Sequence, residues 1–222
     1  MTNRILPSVT IGLFASWAYG QAPAGLWLNQ FGTSQGEWVH DVGLLGPSSG
    51  AVAVGATAGP LGGPNAGSLD IFVTRFSPHG EVVWVRQLGT TTLDAASSVS
   101  CNGGFAVYVG GETLGDLAGP NAGEFDAVVL RLDADGNTAW VHQFGTSESD
   151  SVLSVCADPL AGLFVGGITE GALTGSSFGS ADGFLARYNI FGQRQWMRQL
   201  GTAGGDSVQS VVVDGTNVIV AA

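Results

Sequence analysis

The chain has 222 residues and repeats itself about every 56 of them. Four related heptapeptides mark the repeat: WLNQFGT at 27–33, WVRQLGT at 84–90, WVHQFGT at 140–146 and WMRQLGT at 196–202. Two sets of aspartates keep the same spacing, and these are Asp70, Asp126 and Asp182, and Asp94, Asp150 and Asp206. A fixed period of this length is typical of architectures in which one supersecondary unit is copied along the chain.

One whole period runs from residue 94 to residue 146. The segments SSVSC, FAVYVGG, DAVVLRL and TAWVHQF are rich in apolar and β-branched residues, which favours strands. DADGN, between the last two segments, has the chemistry of a hairpin turn, and the glycine-rich ETLGDLAGPNAGEF is a loop. No helical periodicity follows residue 20. The sequence therefore predicts an all-β unit of four strands.

Four antiparallel strands in every period predict the blades of a β-propeller. A parallel β-helix repeats at a shorter period, and a β-sandwich has no reason to hold this phase. The predicted units are an orphan outer strand at 27–33, blades at about 37–90, 94–146 and 150–202, and a partial blade at about 206–222. This arrangement indicates a partial propeller, and an imperfectly closed four-bladed ring is the alternative.

The tryptophan heptapeptide is predicted to be the outermost strand of each blade. Its third position varies between Asn29, Arg86, His142 and Arg198, as expected for a side chain that reaches solvent at an edge. Trp27 belongs to the orphan copy, whose partner blade lacks a third strand. We therefore expect Trp27 to be packed less well than Trp140.

The motifs W-x-x-Q-[FL]-G-T-x-x-x-D, V-G-G-x-T, G-x-x-D-[AG]-[FV] and D-x-x-G resemble the bacterial SBBP-type β-propeller repeat family. The resemblance covers essentially all of residues 21–222. It implies blades of a propeller in an exported or cell-surface protein whose ligand is undefined. The third repeat departs from the pattern at its turn, where YNIFGQ replaces LDADGN of the second repeat.

The first twenty residues have the pattern of a secretory signal peptide. Arg4 precedes the mostly apolar run ILPSVTIGLFASW, and small residues in AYG suit cleavage after Gly20. An uncleaved anchor is the alternative, but the run is shorter than the roughly 20 residues of a spanning helix. We therefore expect a mature chain of residues 21–222 that is secreted or displayed at the cell surface and is not inserted in the membrane.

The chain is strongly acidic. Seven arginines and no lysine stand against 18 acidic residues, so the net charge is −11 and the isoelectric point is near 4.3. Such a surface repels phosphate backbones and argues against nucleic acid as a partner. Cys101 and Cys156 fall in different registers of their repeats, and we expect two buried free thiols.

The repeated aspartates are the candidate metal ligands. Asp94, Asp150 and Asp206 begin the first strand of a blade, and Asp70, Asp126 and Asp182 begin the third strand. In an antiparallel blade both starts lie at the same end, where clustered carboxylates could bind Ca²⁺. The alternative, which we favour, is that each carboxylate accepts hydrogen bonds from backbone N–H groups of the preceding glycine turn.

The long glycine-rich loops differ in sequence between repeats, whereas the strands do not. Because binding residues concentrate on loops held by rigid frames, the predicted function is that of an exported, non-catalytic scaffold for a protein or glycan ligand. No catalytic motif and no cofactor signature is recognised, and no polar cluster breaks the repeat. The alternative is a fragment of an exported propeller enzyme, of lyase or hydrolase type, whose active site lies in missing blades or in a central cavity.

Overall fold

The computed structural model describes residues 9–12, 27–46, 48–103, 106–158, 162–214 and 217–221. Within these ranges every regular element is a β-strand, which confirms the all-β prediction. No helix in them is long and apolar enough to cross a membrane. Most of the predicted leader, residues 1–20, lies outside the described ranges, and its cleavage stays a prediction.

Two short strands come first, and these are β1 (Val9–Gly12) and β2 (Leu28–Phe31). Sheet I consists of β3 (Glu37–Gly46), β4 (Gly50–Thr57), β5 (Asp70–Phe76) and β6 (Val82–Leu88). Sheet II consists of β7 (Asp94–Asn102), β8 (Ala106–Thr113), β9 (Asp126–Asp133) and β10 (Thr138–Phe144). Sheet III consists of β11 (Asp150–Asp158), β12 (Gly162–Thr169), β13 (Asp182–Asn189) and β14 (Arg194–Leu200). The last pair is β15 (Ser210–Asp214) and β16 (Asn217–Ala221).

The three sheets are antiparallel meanders that follow the predicted repeat boundaries. Each sheet runs in simple chain order from its first to its fourth strand, and the tryptophan heptapeptide supplies the fourth. The β15–β16 hairpin is the predicted partial unit. Strand β2 pairs antiparallel with β1, with Phe31 opposite Val9. The architecture is thus a series of three blade-like sheets, with a two-stranded sheet before and after them in the chain.

The core lies between successive sheets. Val54 and Val73 of sheet I pack with Val109 and Leu130 of sheet II, and all four are fully buried. A second cluster joins sheets II and III in the same way. The middle strands carry apolar residues in unbroken runs because both of their faces are covered by a neighbouring sheet.

The first strands of successive sheets lie side by side along one edge of the stack. Serine hydroxyls bridge them: Ser98 Oγ accepts a hydrogen bond from Val155 N at 3.2 Å, and Ser154 Oγ accepts one from Val211 N at 3.1 Å. The fourth strands consequently form the opposite, outer edges of the sheets.

Candidate functional site

The second-to-third-strand loops and the turns between sheets lie at one end of the stack, which we call the loop face. The loops are residues 58–69, 114–125 and 170–181, and the turns are residues 89–93, 145–149 and 201–205. Parallel bridges from Leu69 to Leu93 and from Ala181 to Gly205 tie a loop to the turn that enters the next sheet. Each loop is therefore fixed at its base by two consecutive sheets.

A glutamine of the tryptophan heptapeptide clamps each loop to the fourth strand. Gln143 Oε1 accepts hydrogen bonds from Leu117 N and Ala118 N, both at 2.9 Å. Its Nε2 atom donates to Gly115 O and to Asp126 Oδ2, both at 2.8 Å. One side chain thus satisfies three backbone groups and a carboxylate that are far from it in sequence.

The clamp recurs in the neighbouring sheets. Gln87 makes the same four bonds, and its partners are Leu61, Gly62, Gly59 and Asp70. Gln199 bonds to Thr174, Gly171 and Asp182. The sequence interpretation overlooked this role, although an unchanged glutamine at the fourth position of all four heptapeptides was the signal that could have revealed it.

The aspartates that begin the third strands are buried and hold the ends of the loops. Asp126 Oδ2 accepts a bond from Ala122 N at 3.0 Å in addition to that from Gln143. Ala66 N and Phe178 N donate to Asp70 and Asp182 in the same way. The donors are backbone N–H groups of the glycine-rich loops, which is the hydrogen bonding expected under the structural interpretation of these aspartates.

The aspartates that begin the first strands organise the turns between sheets. Asp94 Oδ2 accepts bonds from Thr90 N at 2.6 Å and from Thr90 Oγ1 at 2.9 Å, and its Oδ1 atom bonds to Thr113. Thr146 and Thr202 make the corresponding bonds to Asp150 and Asp206. Burial raises the pKa of Asp150 above its usual value, against the opposing effect of its hydrogen bonds.

Asp126 and Asp150, one from each set, approach each other across Gly145. A side chain at Gly145 would begin 2.2 Å from Asp126 Oδ1 and 3.0 Å from Asp150 Oδ2, so the glycine fills the space between them. Within the described ranges no three His, Cys, Asp or Glu side chains converge as a metal site. Calcium binding by the six aspartates stays a prediction.

The DADGN segment forms the hairpin turn that the sequence predicts. Asp133 Oδ1 accepts bonds from Asp135 N at 2.9 Å and from Asn137 N at 2.8 Å, and Gly136 has a φ of 79°. The side-chain hydrogen bond from Asn137 lowers the pKa of Asp133. Cys101 and Cys156 are free thiols, also as expected, but both are only partly buried.

An open groove of about 480 Å³ crosses the loop face between sheets I and II. It is lined by the turn residues Gly89 to Thr92 and by Gly115, Asp116 and Leu117 of a clamped loop. Its walls carry threonine hydroxyls and one exposed carboxylate, which are hydrogen-bonding groups suited to a polar ligand.

On the outer edges, the tryptophans of the first three heptapeptides cover the hairpin of the next sheet. Trp84 Nε1 donates to Ala134 O at 3.0 Å, and Trp140 Nε1 donates to Ile190 O at 3.1 Å. Trp27 lies on sheet I in the same manner and stacks on Phe76 with ring centroids 5.7 Å apart. Trp27 docks on the following sheet and not within its own, and its weaker packing relative to Trp140 stays a prediction because both side chains are partly buried.

The residue at the third heptapeptide position differs between the two interfaces, and so do its hydrogen bonds to the next sheet. Arg86 spans from sheet I to sheet II and donates to Gly136 O at 2.8 Å and to Asp135 O at 2.7 Å. His142 takes this position between sheets II and III, where its Nε2 atom has no hydrogen-bond partner. An open cleft of about 440 Å³ lies beside it.

That cleft, which we call the His142 cleft, contains a polar group that breaks the repeat. Its lining includes His142, Tyr188, Phe191, Gln193 and Arg194. The expectation that no polar cluster departs from the repeat was therefore wrong. The cluster escaped notice because its members come from two sheets and each is unremarkable in sequence.

Comparison with known proteins gives one distant similarity. No family model matches the chain. A stretch of 176 residues is 28% identical to the regulatory protein FlaEY of Caulobacter vibrioides, covering 72% of this chain and 18% of that protein. The chain thus spans less than a fifth of the length of this relative.

Proposed function

We propose that the chain is part of an exported β-propeller of the SBBP repeat type, and that it binds a protein or glycan ligand through the loop face. The observation that carries the proposal is the glutamine clamp, which ties the loop to the fourth strand in all three sheets while the loops that it holds differ. A constant base beneath variable tips is the arrangement expected of a binding surface on a rigid scaffold.

The exposed residues of the loops differ in chemistry between sheets II and III. Leu114 and Phe178 are large apolar residues that are 37% and 53% exposed. Asp116 and Glu170 place exposed carboxylates on the same face. Mixed apolar and acidic side chains on these loops suit a partner with basic or neutral polar groups, in agreement with the net charge of −11.

A propeller accounts for the ends of the stack. β2 already packs on sheet I as an outer strand, since Phe31 meets Phe72 and Phe76 edge-on with ring centroids 6.1 and 5.4 Å apart. The β15–β16 hairpin continues the series as the first half of another unit. In a closed ring, β2 would be the outer strand of that unit.

The predicted leader supports export, and a binding role is compatible with the similarity to a protein named as regulatory. Expression with the native leader should yield an extracytoplasmic product whose first residue is Gln21. An intact Met1 on a cytoplasmic product would contradict export and leave the binding proposal to be judged alone.

Binding can be tested with the purified mature chain on a glycan array and against extracellular proteins of the source organism. Any ligand should be lost with Phe178→Ala or with Leu114→Ala. Val83→Ala is the matched control, because Val83 is 50% exposed on the outer edge of sheet I, away from the loops. A ligand that survives both loop substitutions would contradict the loop face as the binding surface.

A further inference from the structure

The interface between sheets I and II and the interface between sheets II and III are built from equivalent positions of the repeat. A residue that differs between them therefore indicates a feature specific to one interface. In the first contact the guanidinium of Arg86 bonds the carbonyls of Asp135 and Gly136 across the interface. In the second, Phe191 and Gly192 stand at the positions of Asp135 and Gly136, and the shorter His142 replaces the arginine. The His142 cleft is the space that this exchange leaves open.

The imidazole of His142 is held by stacked rings. Its centroid lies 5.1 Å from that of Trp140 and 5.8 Å from that of Tyr188, with interplanar angles of 37° and 23°. Burial raises the pKa of Tyr188 to about 12, so the phenol is neutral. The stacked rings make this side of the cleft aromatic, with Tyr188 only 3% exposed.

The charges at the cleft are also specific to this interface. Arg194 occupies a position that is Thr138 in sheet II and Val82 in sheet I, and no carboxylate belongs to the lining. Phe191 is 73% exposed and stands where sheet II has Asp135. In a chain with a net charge of −11, one arginine beside an exposed aromatic ring forms a local site for an anion.

We propose that the His142 cleft binds a small ring-shaped carboxylate. The ring would lie against Phe191 and the stacked rings, and the carboxylate would pair with the guanidinium of Arg194, which is suited to bidentate carboxylate recognition. A single arginine balances a singly charged carboxylate better than a doubly charged phosphate. The volume of about 440 Å³ is within the range of about 300–1,000 Å³ that is usual for small-ligand sites.

The site is separate from the loop face, because the hairpin of sheet III that carries Phe191 and Arg194 lies at the other end of the strands. Failure of one proposal therefore leaves the other intact.

The test is a titration of the mature chain with four probes, followed by calorimetry and by the NMR signals of the histidine rings. D-Glucuronate and benzoate each carry a ring and a carboxylate, D-glucose lacks the charge, and acetate lacks the ring. Both ring acids should shift the His142 signals and bind at least about tenfold more tightly than D-glucose or acetate, a factor that corresponds to about 1.4 kcal/mol. Binding by one ring acid alone also supports the proposal and identifies whether the ring is a sugar or an aromatic one.

Two substitutions locate the site. His142→Arg should close the cleft in the manner of Arg86 and abolish binding without loss of stability. Arg194→Gln should weaken binding of the acids about tenfold or more and leave D-glucose unaffected. Arg198→Gln is the control, because Arg198 is an exposed arginine on the same strand that does not line the cleft.

The proposal would be overturned by no response to either ring acid, by equal binding of acetate and the ring acids, or by binding that His142→Arg leaves unchanged. Equal effects of Arg194→Gln and Arg198→Gln would do the same, since they would indicate attraction by general charge.

Discussion

The interface between sheets I and II and the interface between sheets II and III use the same parts, yet one is filled and the other is open. In both, a tryptophan indole donates to a hairpin carbonyl of the next sheet. Trp84 is only 9% exposed beneath its arginine, whereas Trp140 is partly exposed beside His142. The tryptophans that join the sheets are unchanged between the two interfaces. The exchange of Arg86 for His142 at one position opens the space.

The largest expected effect concerns the two tryptophans. Trp84→Ala should lower the free energy of unfolding by about 3–5 kcal/mol, since a buried ring, its hydrogen bond and the cation–π contact with Arg86 are lost together. Trp140→Ala should cost less, because its ring is already partly in contact with solvent. Denaturant titration of both variants measures the difference, and equal losses would mean that the two interfaces are packed alike.

The second largest effect concerns the glutamine clamp, whose loss should cost the same stability in sheet I and in sheet II. Gln87→Ala and Gln143→Ala each leave three backbone groups and a carboxylate without their partner, and each should cost about 1–3 kcal/mol. Thermal unfolding should give the same change in melting temperature for both. A clear difference would show that the loops, and not only the cleft, distinguish the interfaces.

The third effect tests the role of the carboxylates. Asp126→Ala should cost about 1–3 kcal/mol, because Ala122 N and Gln143 Nε2 lose their acceptor. Asp126→Asn retains an acceptor oxygen and should cost less. If calcium chloride raises the melting temperature of the unsubstituted chain but not of Asp126→Asn, the carboxylate is a metal ligand and not only a hydrogen-bond acceptor.

The smallest expected change in stability comes from exchanging the third heptapeptide residue between the two interfaces. His142→Arg should stabilise the chain by about 1 kcal/mol through bonds to the hairpin carbonyls of sheet III, and Arg86→His should destabilise it by a similar amount. Chemical denaturation of both single variants and of the double variant would show whether the changes cancel. Destabilisation by His142→Arg would mean that the second interface cannot accommodate the guanidinium.

The strand positions were accessible from sequence because the repeat supplies several independent readings of one unit. The boundaries of β7 to β10, for example, follow from apolar runs and turns that recur in the other copies. Calcium binding by the repeated aspartates stays a prediction, and the sequence could not show that Gly145 lies between Asp126 and Asp150.

What escaped prediction depends on contacts between distant segments. The bonds of Gln143 reach about 25 residues back along the chain, and no periodic pattern indicates the partner of a polar side chain. The docking of Trp27 on sheet I was missed because the heptapeptide was assigned to its own sheet. The His142 cleft was missed because a reading based on the repeat averages out the positions at which the copies differ.

The glutamine clamp also has a consequence for how such a chain can change over time. Since the clamp bonds mainly to backbone atoms of the loop base, it does not depend on which side chains the tip carries. Substitutions at the tips of the three loops can therefore accumulate with little loss of folding, and new specificities can arise without rebuilding the frame. For the same reason the tips are natural positions for a library of randomised residues in selection experiments.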